Sequence, residues 1–434
     1  MFDVTENSRL IIEGLRSGVP YRDMAKNVAF GRERYIEHVR RLMEGVEQER
    51  PPKFPAHIVR ANYGEGKTHL LHSLWGLAED RNWVVSFVSF SKETPLNRLD
   101  QLYPKIIENT YMPGSSHPGV AGIVERALES QLLAEALALK FSPRVMAVLN
   151  SLVVRDEGYE ELRMDIAGQF LGVAELKRIH RQNLGRPPSL PRASLKDEAF
   201  EYIRFVDWLI HKAGFQGWLI LADEVELIGK LGRGARSQAY ANMGRFLAGD
   251  LPHTLTVWAL AANFLGDVLI RRNDREEAPR WLAVRPREEA RAPWCETALD
   301  ALLESKLLDS LALPQVQSLI VRIHDWYQSA YNWAAPFDGE ELYRQTRHFA
   351  PTQDTRLRTW VRLSLTILDI WYQYGEAPVI RHVDPLGDPA LDEAPDGGTG
   401  DSTGGGAGDG AGDGERGPPP EAEDAPMITR RTLI

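Results

Sequence analysis

The chain has 434 residues, 43% of them hydrophobic and 26% charged, a balance that belongs to globular proteins and, at this length, to more than one domain. One cysteine, Cys295, excludes an internal disulfide and a zinc site built on several thiolates. The net charge of −10 is unevenly spread: residues 384–426 hold twelve acids and one base, so the rest of the chain sums to +1 and is open to a nucleic-acid partner.

No apolar run approaches the ~18 residues that a membrane span needs, and the N-terminus MFDVTENSR has neither a basic region nor an apolar core. The expectation is a cytoplasmic protein with no membrane partner. Residues 7–48 read as helices: Leu10, Ile11 and Leu15 recur at helical spacing, a break follows at Gly18-Val19-Pro20, and Ile36, Val39, Leu42 and Val46 mark a second helix. Residues 56–60 then read as a short strand, 67–78 as a helix and 83–90 (WVVSFVSF) as a β-rich run. Further on, 200–213 read as a helix, and 218–222 (WLILA) and 254–262 (TLTVWALAA) as apolar strands. Buried strands separated by helices predict a parallel sheet covered on both faces. A mostly helical insertion at about 104–199 interrupts the alternation, and helical periodicity from 314 to 374 predicts an all-α domain. Residues 381–426 are rich in Gly, Asp and Pro and read as a disordered acidic linker. Residues 427–434 (MITRRTLI) read either as a frayed terminus or as a docking peptide for a sheet edge.

The first strand runs into Ala61-Asn62-Tyr63-Gly64-Glu65-Gly66-Lys67-Thr68, then His69 and a helix with Leu70, Leu71, Leu74 and Leu77 on one face. This is a phosphate-binding loop with Ala in place of its first Gly. Gly64 and Gly66 let successive N–H groups turn toward phosphate oxygens, and the helix aims its positive end at the same anion. Lys67 reaches the β- and γ-phosphates of ATP, and the Thr68 hydroxyl is placed to ligate Mg2+. The strand at 218–222 ends in Asp223-Glu224, two acids at the edge where parallel sheets bind ligands. Asp223 would serve the Mg2+ shell, and Glu224 would activate water as general base. Glu226 reads as a solvated helix residue. Asn263, after the next strand, suits a group that orients the water beside the γ-phosphate.

Phe30-Gly31-Arg32-Glu33 resembles the motif that opens AAA+ modules of the origin-recognition initiator type, in which Phe30 and Gly31 would pack beside the adenine. More closely, the chain resembles the P-loop ATP-binding proteins of bacterial BREX antiviral systems, the BrxD-like group. The phrases that carry this are IIEGLRSGVP at 11–20, NYGEGKTHLL at 62–71, SKETPLNRL at 91–99 and LADEVELIGKL at 221–231. The resemblance, over about residues 7–375, implies an AAA+ (ASCE) P-loop NTPase core over 51–313, entered from N-terminal helices over 1–50. It also implies a helical lid over 314–380, a homo-oligomer, and an ATPase acting beside a helicase-like partner against foreign DNA. An AAA+ oligomer further requires an arginine finger, for which Arg236 and Arg245 are favoured. A sensor-2 arginine would sit at a helix start, where Arg356 and Arg358 fall.

Between 177 and 196 lie Lys177, Arg178, Arg181, Arg186, Arg192 and Lys196 with no acid. That stretch reads as an exposed Pro-rich loop that binds DNA phosphates, or as a solvated arm. Two other functions remain open: an ATP-dependent switch or scaffold, and a DNA-binding protein with secondary ATPase activity.

Overall fold

The computed structural model describes residues 4–18, 31–129, 132–350 and 356–376. The readings for Phe30, for the acidic linker and for the terminal peptide lie outside the described residues. Six strands form one sheet there: β1 (Ala56–Ala61), β2 (Trp83–Ser89), β3 (Thr110–Tyr111), β4 (Gly217–Asp223), β5 (Thr254–Ala261) and β6 (Lys306–Leu307). Their order is β3-β2-β4-β5-β1-β6. All neighbours are parallel except β3, which runs antiparallel to β2. This mixed α/β architecture with a mostly parallel sheet is compatible with a P-loop NTPase core.

Every residue of β4 is buried, as a strand covered on both faces requires. Alternation along the strand sorts its side chains to opposite faces. Trp218, Ile220 and Ala222 join a core shared with the helices Leu195–Lys212, Arg233–Leu247 and Ala292–Leu303. Leu219 and Leu221 pack with Val39 and Met43 of the helix Glu33–Glu47 and with Leu70, Leu71 and Leu74 of Lys67–Asp80. The site therefore sits on a sheet buried on both sides.

The helix expected over 200–213 begins earlier, at Leu195, where the Ser194 hydroxyl caps the Asp197 N–H at 3.3 Å. Between β2 and β4 the chain is mainly helical, and β3 adds to the sheet edge. A buried polar network ties this region to Leu195–Lys212: Arg144 donates to Tyr202 Oη at 3.1 Å, and Asp165 engages both Arg144 and Tyr202.

The first helix is Val4–Ser17. It packs with Leu313–Tyr331, Gly339–Phe349 and Leu357–Tyr374 in a third apolar cluster that includes Ile11, Ile12, Ile320, Ile323 and Leu368. Asp369 accepts there from Arg16 at 2.7 Å and from Tyr327 at 2.6 Å. No helix among the described residues is long and apolar enough to cross a membrane.

Candidate nucleotide-binding site

β1 ends at Ala61, and the chain turns through Asn62–Gly66 into the helix Lys67–Asp80. Gly64 and Gly66 have φ of +82° and +90°, values that a side chain would strain. Alternating left-handed glycines make the concave row of N–H groups that anions favour, and the first N–H groups of the helix have no partner within it. The loop is braced from behind. Arg32, 2% exposed, donates to Glu65 O at 2.7 Å and to Asp309 O at 2.6 Å. Burial lowers its guanidinium pKa, and the Glu65 charge opposes that. Glu65 itself accepts from Ser310 Oγ at 3.2 Å. Lys67 Nζ donates to Ala61 O at 3.3 Å.

The acid end of β4 meets this loop across the sheet. Thr68 Oγ1 donates to Asp223 Oδ2 at 2.7 Å, and the other Asp223 oxygen accepts from Glu224 N at 2.9 Å. Asp223 is buried, and Glu224 is exposed at the strand end. Glu224 has φ of +56°, a left-handed conformation that costs roughly 1–3 kcal/mol off glycine. The other non-glycine residues with positive φ follow helical segments, where such caps are ordinary. Glu224 instead ends a strand. One hydroxyl and one carboxylate oxygen in contact form an all-oxygen donor pair that fits Mg2+, and the glycine cradle with Lys67 fits a triphosphate.

β5 lies between β1 and β4, with Ala261 opposite Ala61. Two residues later Asn263 is exposed, and its Nδ2 donates to Asp267 at 2.9 Å. Glu226, read from sequence as solvated, is half-buried instead, and its Oε2 accepts from Ala261 N at 3.0 Å. Burial pushes its carboxyl above the usual range, while the Lys67 charge pulls it back.

Other expected residues divide sharply. Arg356 and Arg358, distant in sequence, are brought onto the loop. Arg358 N donates to Gly64 O at 3.2 Å, and its guanidinium to Tyr63 Oη at 2.6 Å. A Cβ on Gly64 would stand 3.8 Å from Arg356 Cβ. Gly31 has φ of +65° and no room for a side chain against Leu311 and Gln315. His69 gives its carbonyl to Ser73 Oγ at 3.0 Å, and Asn62 is exposed.

Arg236 and Arg245 point elsewhere. Arg236 is buried against Asp274, with both contacts at 2.7 Å. Arg245 lies over the Phe200 ring at 3.7 Å from its centroid. Both are engaged within the chain itself. Of the basic stretch, Lys177, Arg178 and Arg181 sit on the helix Val173–Leu184, Arg186 and Arg192 in the following loop, and Lys196 on the next helix. Arg178 pairs with Glu175 at 2.6 Å. Arg181, Arg186 and Arg192 are exposed and make no ion pair among the described residues.

No curated protein and no solved structure matches the chain. Residues 4–153 match the model of the family described as BREX system ATP-binding protein BrxC/D. The match takes in the phosphate-binding loop and the phrases at 11–20, 62–71 and 91–99, and stops before β4. The resemblance is shown over that span, where the chain is similar to the ATP-binding proteins of BREX systems.

Proposed function

We propose that the protein is a Mg2+-dependent ATPase of the AAA+ type, working as a homo-oligomer in antiviral defence on DNA or on a helicase-like partner. The observation that carries the reading is the 2.7 Å contact of Thr68 with Asp223, two residues 155 positions apart whose oxygens meet beside the phosphate-binding loop, where a cation and a triphosphate would share them. The backbone around Gly64 and Gly66 would hold the phosphates, and Lys67 would move from the Ala61 carbonyl to the terminal phosphate. Glu224, exposed at the strand end, would take a proton from water that Asn263 orients. Mg2+, held through Thr68 and Asp223, would neutralise charge on the leaving phosphates. The helices of 313–374 would act as a lid, since Arg358 already touches the loop. With Arg236 and Arg245 held within the chain, a finger falls to an exposed arginine such as Arg271, whose side chain is 77% exposed and pairs at 3.0 Å with Asp267, one turn away on the surface. The test is phosphate release from ATP by the purified protein: turnover with Mg2+ that stops on chelation supports the reading, and turnover indifferent to chelation overturns the metal assignment.

The basic loop supports DNA as the partner. Arg181, Arg186 and Arg192 would neutralise backbone phosphates without reading sequence. Replacing all three by glutamine is expected to lower the slope of log affinity against log salt by about 2–3, since each neutralised phosphate adds about 0.9 to it. An unchanged slope in fluorescence-anisotropy titrations would return this stretch to a solvated arm.

A further inference from the structure

β4 ends at Asp223, and the chain turns away at the left-handed Glu224. β5 continues to Ala261. Pairing between the two strands is last seen at Ala222 and Trp258, so the end of β5 has no strand beside it on that side. Successive N–H groups of a strand point to opposite edges. The Ala262 N–H donates to Ala61 O at 3.0 Å, toward β1. The Ala261 N–H therefore faces the edge that β4 has left. Glu226 fills that place with its side chain, Oε2 accepting from Ala261 N at 3.0 Å. A buried backbone donor without an acceptor is costly, and here a carboxylate substitutes for the missing strand.

The strand end it grips is central to the site. Ala261 lies opposite Ala61, whose carbonyl accepts from both Ala262 N–H and Lys67 Nζ. Two residues beyond Ala261 comes Asn263. Burial raises the Glu226 carboxyl, and the Lys67 charge favours its ionised form.

We propose that Glu226 is a positioning residue of the ATP site: by holding the Ala261 N–H it fixes the end of β5, and with it Asn263, against the phosphate-binding loop during turnover. This rests on the ATPase reading above. Glutamine keeps an acceptor oxygen at the same reach without the charge, and alanine has none. The experiment compares wild type, Glu226→Gln and Glu226→Ala as full-length protein, in steady-state ATP hydrolysis and in titration with a fluorescent ATP analogue. Glu226→Ala is expected to lower kcat about tenfold or more with Kd within about threefold, and Glu226→Gln to stay within about threefold of wild type in both. Should the alanine variant fail to fold, Glu226→Met supplies similar volume and still no acceptor of comparable strength.

Equal losses in the glutamine and alanine variants would assign the effect to charge and overturn the clamp. So would an unaltered kcat in Glu226→Ala, or a fall in affinity as large as the fall in kcat. A wild-type protein that turns over no ATP overturns the ATPase reading and this role with it. An active wild type with unaltered variants overturns the role alone.

Discussion

Lys67→Ala is expected to abolish measurable nucleotide binding while leaving the fold intact. The side chain is partly exposed and donates one 3.3 Å hydrogen bond to the Ala61 carbonyl, so its removal should change folding stability by no more than about 0.5 kcal/mol. A bound triphosphate, by contrast, would forfeit a charge-assisted hydrogen bond worth roughly 1.5–3 kcal/mol, and more where the neighbouring phosphate charge is left uncompensated. That bond alone is worth about ten- to a hundredfold in affinity, since each 1.4 kcal/mol is a factor of ten, and the uncompensated charge takes binding below the measurable range. Titration with a fluorescent ATP analogue, beside a thermal melt, separates the two effects. Binding retained at wild-type strength would mean that the loop is a glycine turn and not a phosphate cradle.

Glu224→Gln is expected to bind ATP as wild type does and to hydrolyse it roughly 10²–10⁴ times more slowly, the range that one general base contributes. The substitution removes the basic oxygen and little else, because Glu224 is exposed and its backbone bond to Asp223 remains. Phosphate release with saturating ATP and Mg2+ reads it directly. Undiminished hydrolysis would remove the base assignment. The same variant divides a motor from a switch. If it assembles and captures its partner as well as wild type, nucleotide occupancy alone suffices and turnover serves another step. If assembly proceeds and partner remodelling stops, hydrolysis drives the work.

What could be read in the sequence was whatever is set by local backbone. Gly64, Gly66, Lys67 and Thr68 are a consecutive loop, and the run from Trp218 to Ala222 announces a buried strand that ends in acids. The contact between Thr68 and Asp223 follows from those two facts and a parallel sheet. What could not be read depends on partners remote in sequence. Glu226 looks like a solvated helical acid until β5 is seen to outrun β4. Arg236 resembles a free cation until Asp274 is placed against it. β3 and β6, two residues each, are too short to show a period. Val4–Ser17 has the amphipathic spacing of any surface helix, and nothing local says that its apolar face belongs with residues three hundred positions later. Arg358 lies on the loop because the start of its helix is pinned there by backbone as well as by side chain.

Arg32 gives the loop a property of its own. Buried and held between the carbonyls of Glu65 and Asp309, it keeps the loop in a preorganised shape before any anion arrives, and little disorder is left to be lost on association. Whatever drew residue 32 out of its seat would slacken the grip on phosphate from behind, without touching a single group that meets the ligand.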